Sequence, residues 1–332
     1  MATVMTHRGE VDASTLGVTL PHEHFFVNAM EERREVLLHD EVLMTEEARV
    51  FVDQGGTAMF ELTSSMVAVG ALSTHRGRSE GRVSRPVENV EACVRVADAV
   101  GLTMVMATGF YREPYLDEVV LNEYSTNELA DFIVRDLMEG YPGTEVRAGV
   151  IGEVATNKWY VSAMEERSFR AAARAHKRTG RAIYTHAVFW PVAEQQIEIL
   201  KEEGVDLTKV AIGHTDLVPG PEYAVGLARH GVYIGIDSIQ SGNSRAVAQR
   251  VAQVTALIRA GYLERILLSH DLCMPAHLTA NGGNGFGFVL GGFRDALTEA
   301  GVTAEEFDVI VRDILLDSSP TEKRYSLDTI QI

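Results

Sequence analysis

The chain has 332 residues, 46% of them hydrophobic and 23% charged, with a formal net charge of −17. That length and apolar content suit one large domain with a sizeable core. The acidic balance argues against nucleic acid or an anionic membrane surface as a partner. Cys93 and Cys273 have no paired spacing, so no disulfide framework is expected and a reducing compartment fits. The opening residues lack the basic and apolar regions of a secretory leader, and no run approaches the roughly 18 apolar residues of a membrane span. The expectation is a cytoplasmic protein acting on a small molecule.

Short β-branched apolar runs alternate with longer helix-patterned segments. The runs predict strands over 16–20, 57–62, 103–108, 147–151, 182–185, 210–212, 232–236 and 265–268. Helical patterns lie over 87–100, 125–139, 165–179, 193–203, 223–230, 244–260, 287–300 and 304–315, and most end at a glycine. Repeated strand–helix units with glycine stops are the signature of parallel βαβ structure, and eight of them suggest a closed (β/α)8 TIM barrel. No linker or break in composition divides 1–332, so a single domain is expected.

In such a barrel the C-terminal ends of the strands converge on one mouth. Here those ends carry a coherent set. The first run leads into Pro21-His22-Glu23-His24, whose two imidazoles share a strand face. The fourth leads to Gly152-Glu153, the fifth to Thr185-His186, the sixth to Gly213-His214 and the eighth to Ser269-His270-Asp271. A single catalytic zinc takes three protein ligands and a water. Six ligands suit two ions that share a bridging carboxylate and a bridging hydroxide. His22, His24 and Asp271 are assigned to one ion and His186 and His214 to the other, with Glu153 between them. Two Zn2+ ions are the first expectation, although the same donors accept Mn2+, Co2+ or Fe2+.

These motifs, taken in order, resemble the phosphotriesterase family of the amidohydrolase superfamily, over about residues 18–313. Thr108-Gly-Phe-Tyr111 is also similar to that family. The resemblance implies a (β/α)8 barrel, a binuclear metal centre, metal-assisted hydrolysis and a homodimer. The best-known members bridge their metals with a carboxylated lysine. Glu153 at that position resembles the phosphotriesterase homology protein branch, as do Gly213-His-Thr-Asp-Leu217 and Ala276-His-Leu-Thr-Ala-Asn-Gly-Gly283. Members efficient on organophosphates or acyl-homoserine lactones carry an acid after the strand-6 histidine and a His or Arg after the strand-7 Asp. Leu217 and Ser238 stand at those places, which argues against phosphotriesterase activity as the main function.

The expected activity is hydrolysis of a carboxylic ester, lactone or amide, with organophosphate triester hydrolysis as the alternative. Asp271 is the expected proton acceptor, and Tyr111 is either an oxyanion donor or a pocket wall. Trp159, Trp190, Asp237, Ser238, Cys273 and His277 complete the candidate pocket, Asp237 having a second reading as support for a ligand histidine. His270 is read as packing, and His7, His39, His75, His176 and His230 as solvated. The glycine-dense stretch 282–287 is read as a mobile lid or as a tight connection into the following helix.

Overall fold

The computed structural model describes residues 3–71, 83–240 and 242–312. It opens with an antiparallel hairpin, β1 (Thr3–Thr6) and β2 (Gly9–Asp12), which the sequence did not announce. The hairpin packs at the N-terminal end of the barrel, where the His7 backbone N–H donates to Met104 O at 2.9 Å.

Eight parallel strands follow: β3 (Thr19–Glu23), β4 (Ala58–Glu61), β5 (Thr103–Thr108), β6 (Val150–Thr156), β7 (Ile183–Ala187), β8 (Val210–Ile212), β9 (Tyr233–Ile236) and β10 (Ile266–Leu268). They pair in sequence order from β3 to β10. The ends of the sheet meet where Asp271 N–H donates to His22 O at 3.2 Å and His22 N–H to Ser269 Oγ at 3.0 Å. The result is the expected (β/α)8 TIM barrel.

Ten helices are described: α1 (Glu41–Asp53), α2 (Val87–Val100), α3 (Glu118–Glu123), α4 (Thr126–Met138), α5 (Ala163–Thr179), α6 (Ala193–Glu202), α7 (Glu222–Ala228), α8 (Ser244–Arg259), α9 (Arg294–Glu299) and α10 (Ala304–Arg312). Local chemistry sets their ends. Ser125 with Glu128, and Ser162 with Glu165, form reciprocal capping boxes at the starts of α4 and α5. Gly180 closes α5 at φ +72°, a conformation that costs glycine nothing. The weakly patterned α1 and α3 were not legible in the sequence. The helix expected over 287–300 is instead a short π-helical turn over Val289–Phe293 followed by α9, and the one expected over 304–315 is described only to Arg312.

Two separate apolar cores result. Ala58, Phe60, Val105, Ala107, Tyr184, Ala211 and Leu267 fill the barrel interior, and a larger layer lies between strands and helices. The sheet register is regular except between Leu20 and Glu23 on β3 and between Ile151 and Val154 on β6. Those breaks fall at His22 and Glu153, as irregularities that re-aim side chains next to sites commonly do. They also explain why the first and fourth predicted strands stop short of their observed ends.

Candidate metal centre

The structure brings the six candidate ligands together at the C-terminal mouth. His22 is on β3 and His24 follows it, Glu153 is on β6, His186 is on β7, and His214 and Asp271 stand just beyond β8 and β10. All except Asp271 are buried. Glu153 is the hub. Its Oε1 lies 2.6 Å from His186 Nδ1, 3.0 Å from His22 Nε2 and 3.4 Å from His214 Nε2, while Oε2 lies 3.6 Å from His24 Nε2. Asp271 Oδ1 is 3.1 Å from His24 Nε2 and 3.8 Å from His22 Nε2.

The outward nitrogen of each imidazole is taken by a group outside this cluster. His22 Nδ1 lies 2.9 Å from Asp237 Oδ2, His24 Nδ1 lies 3.0 Å from Thr63 Oγ1, and His186 Nε2 lies 3.2 Å from Tyr111 Oη. His214 Nδ1 lies 2.9 Å from Asp237 Oδ1 and 3.1 Å from Ser238 Oγ. A carboxylate can only accept, so His22 and His214 carry their protons on Nδ1 and turn Nε2 to the centre. Thr63 in turn donates to Glu61 Oε1 at 2.5 Å, which leaves Thr63 to accept from His24 Nδ1. Glu61 is itself neutralised by the buried Arg85.

His22 Nε2 is buried and, although Glu153 Oε1 lies 3.0 Å away, it makes no hydrogen bond of acceptable geometry. An orphaned buried nitrogen is costly unless something absent from the coordinates engages it. Among the described residues three donor groups have the spacing of a metal site: His22–His24–Glu153 and Glu153–His186–His214, which share the Glu153 carboxylate, and His22–His214–Asp237, which involves the outward side of the two imidazoles. Nitrogen and oxygen donors of this kind fit two divalent cations.

Electrostatics agrees with that reading. Burial disfavours charge at every one of these groups, yet Glu153 is held well below the ordinary carboxylate range by His186 and His22. Burial likewise opposes the proton on His214, but Asp237 and Glu153 push it up to about 10. His22 is raised well above its ordinary value, with Glu153 and Asp237 overcoming burial. His186, where burial wins, is lowered to about 4. Without cations, protons on His22 and His214 supply the positive charge that Glu153 and Asp237 require.

The backbone at the site is strained. His214 and Asp271 have φ values of +57° and +55°. Left-handed positions of this kind cost non-glycine residues on the order of 1–3 kcal/mol and cluster at functional sites. Asp237 Oδ1 accepts from the His214 N–H at 2.9 Å and so helps to hold that turn.

A family model described as the phosphotriesterase family matches residues 2–315. The chain belongs to the phosphotriesterase family. It is 31% identical over 299 residues to the phosphotriesterase homology protein of Escherichia coli K12, covering 90% of this chain and 96% of that protein. A crystal structure of the E. coli homology protein with phosphate in its active site superimposes with a TM-score of 0.78 at 29% identity, covering 91% of this chain and 98% of the other. The N-acetyltaurine hydrolase of Danio rerio is 26% identical, over 91% of this chain and 85% of that protein. The family is one of binuclear metal hydrolases, and the two donor groups sharing Glu153 match that character.

Against this phosphotriesterase-family centre, the predicted pocket residues sort unevenly. Tyr111 and Cys273 line a cavity of about 50 Å³ with His24, Glu153, His186 and Asp271. Asp237 and Ser238 do not line it; they are buried beneath His22 and His214 and hydrogen-bond to them, the placement that the second reading of Asp237 describes. Trp159 and Trp190 are 64% and 43% exposed on the loops after β6 and β7, outside the lining. His277 is also outside it, half-buried in the loop after β10.

His270 points away from the centre, as expected from its alternation with Asp271. Its Nδ1 donates to Glu23 Oε1 at 2.7 Å and its Nε2 accepts from Val289 N–H at 3.0 Å. Glu23 also accepts from Ser269 Oγ, His270 N and Leu272 N, at 2.8, 2.9 and 3.1 Å, and so ties β3 to the segment that carries Asp271. His7 and His176 are buried rather than solvated, and His75 lies outside the described residues. The 282–287 stretch is a tight connection rather than a lid, since its Gly285 and Gly287 are buried against Glu47 and Gln54 of the α1 region. Sequence reasoning missed Glu23, Thr63, Arg85 and the cavity-lining Arg33 and Arg112, because nothing local distinguishes them from surface or core residues. Among the described residues no helix is long and apolar enough to cross a membrane.

Proposed function

We propose that the protein hydrolyses a carboxylic ester, lactone or amide, using two divalent cations held by His22, His24 and Asp271 on one side and His186 and His214 on the other, with Glu153 between them. The observation that carries this reading is the orientation of the four imidazoles, each with one nitrogen tied to an outer partner and the other turned towards the centre. Zinc suits the donor set best, and manganese, cobalt or iron would also be accepted. When bound, such cations supply Lewis acidity that lowers the pKa of water and polarises a substrate oxygen.

The remaining work falls to the protein. Asp271 is the most accessible of the six groups and is held by His24, so it can take the proton of the attacking water and return it to the leaving group. Tyr111 fixes the ring of His186 and presents its hydroxyl to the cavity. Burial raises that hydroxyl well above the ordinary tyrosine range, so it remains a donor at neutral pH. Because Ser238 is engaged by His214, no relay runs from Asp271 through that position. The N-acetyltaurine hydrolase relative supports including amides in the substrate class.

A pH-indicator screen of zinc-loaded protein against lactones, aryl esters, N-acyl amino acids and a phosphotriester tests this, with Asp271→Asn as control. A carboxylic substrate turned over by wild type and lost in the control supports the reading. Turnover of the phosphotriester alone would replace it with the organophosphate alternative.

A further inference from the structure

We propose that Arg33 binds an anionic group on the substrate, so that the preferred ester, lactone or amide carries a carboxylate, sulfonate or phosphate beside the bond that is cleaved. This rests on the hydrolase reading of the same cavity. Arg33 lies in the loop between β3 and α1 and lines the cavity above the metal centre. The loop is ordered around it. Ala29 N–H donates to Val36 O at 2.9 Å, Arg33 N–H to Ala29 O at 3.1 Å, and Val36 N–H to Arg33 O at 2.9 Å. Tyr115 clamps the same turn, donating to Ala29 O at 2.6 Å and accepting from Glu32 N–H at 3.2 Å.

The cavity contains a second arginine, and the contrast between them is informative. Arg112 is already satisfied: it donates to Asn157 Oδ1 at 2.6 Å, to Glu113 O at 2.8 Å and to Glu32 Oε2 at 2.5 Å. Arg33 is half-buried and its side chain has no hydrogen bond or ion pair among the described residues, although Glu31 and Glu35 stand exposed on the same loop. The cavity carboxylates, Glu153 and Asp271, are engaged by the histidines. An arginine without a protein partner on the lining of a partly desolvated cavity is a ready donor to an oxyanion.

Two readouts on the zinc-loaded protein test this. The first compares hydrolysis of 4-acetoxybenzoate with that of its neutral methyl ester. The second is calorimetric titration with benzoate, which needs no turnover. Arg33→Met is expected to reduce the anionic-to-neutral ratio of kcat/KM roughly 10- to 100-fold and to weaken benzoate binding by a similar factor, the range of one charge-assisted hydrogen bond. Arg33→Lys, which keeps the charge but not the planar fork, is expected to recover part of both. General damage to the fold lowers both esters together and leaves their ratio unchanged. An unchanged ratio or unchanged benzoate affinity in Arg33→Met overturns the proposal while leaving the hydrolase reading intact. If neither ester is turned over, benzoate binding alone decides the role of Arg33, and the hydrolase reading stands or falls on the wider substrate screen.

Discussion

His22 Nδ1 lies 2.9 Å from Asp237 Oδ2, and that contact determines which nitrogen of His22 faces Glu153. The same carboxylate also accepts from Tyr184 Oη at 2.7 Å and from His214 N–H at 2.9 Å, so one buried acid orients a histidine in each donor group. Outer partners of this kind typically govern metal affinity or activity by about 10–100-fold. Asp237→Asn is therefore expected to weaken zinc binding in that range, with activity regained at high zinc. Competition with a chelator of known affinity checks it; wild-type affinity in the variant would remove Asp237 from its orienting role.

Asp271→Asn is expected to retain most of the metal, because Glu153 and the four histidines remain. Turnover should fall by roughly 10²–10⁴-fold, the usual contribution of a positioned acid or base. Single-turnover rates measured alongside metal content separate the two effects. Near-normal turnover with full metal would exclude Asp271 as the proton acceptor.

Tyr111 touches His186 through its hydroxyl and lines the cavity with its ring. Tyr111→Phe preserves the wall and removes only the hydrogen bond. A kcat loss of about tenfold or more with unchanged KM assigns the hydroxyl to transition-state stabilisation or to holding His186. A variant with unchanged kcat and KM would assign Tyr111 to packing.

Metal uptake should release protons. His214, raised to about 10, and His22, raised well above its ordinary value, are both protonated in the metal-free protein at pH 7.5, whereas a metal-bound imidazole is neutral at the ligating nitrogen. Zinc affinity is therefore expected to fall as pH is lowered. The sign for the metal-free fold is the reverse. Both histidines are raised above the unfolded value, so the stability they contribute is complete below about pH 6.5 and is lost as pH rises through the raised values, about 10 for His214. Calorimetry in buffers of different ionisation enthalpy counts the protons. Zero release at pH 7.5 would contradict the proposed protonation of His22 and His214.

The barrel was legible because βα units repeat a local pattern, and the strand limits at 103–108 and 210–212 coincide with β5 and β8. The first and fourth strands were misjudged at the register breaks, where a polar residue inside a strand reads as its end. The candidate ligands were visible because histidines and acids recur at strand ends. Their supports were not: Glu23 lies between two candidate ligands yet faces the β10 end, and Thr63 and Arg85 reach His24 only through the folded chain. Asp237 was visible as a strand-end acid, but its side chain points under the histidines, which no linear pattern encodes. Trp159 and Trp190 were drawn into the pocket by residue type alone, and they stand exposed on the rim, outside the cavity lining.

The most direct test of the central claim is a zinc titration of metal-free protein that follows bound metal and hydrolysis of a substrate from the screen together. The account predicts no hydrolysis without metal and activity that saturates at two zinc ions per chain, with Glu153→Ala binding fewer and remaining inactive. Full activity in chelator-treated protein, or two tightly bound zinc ions in Glu153→Ala, would contradict it.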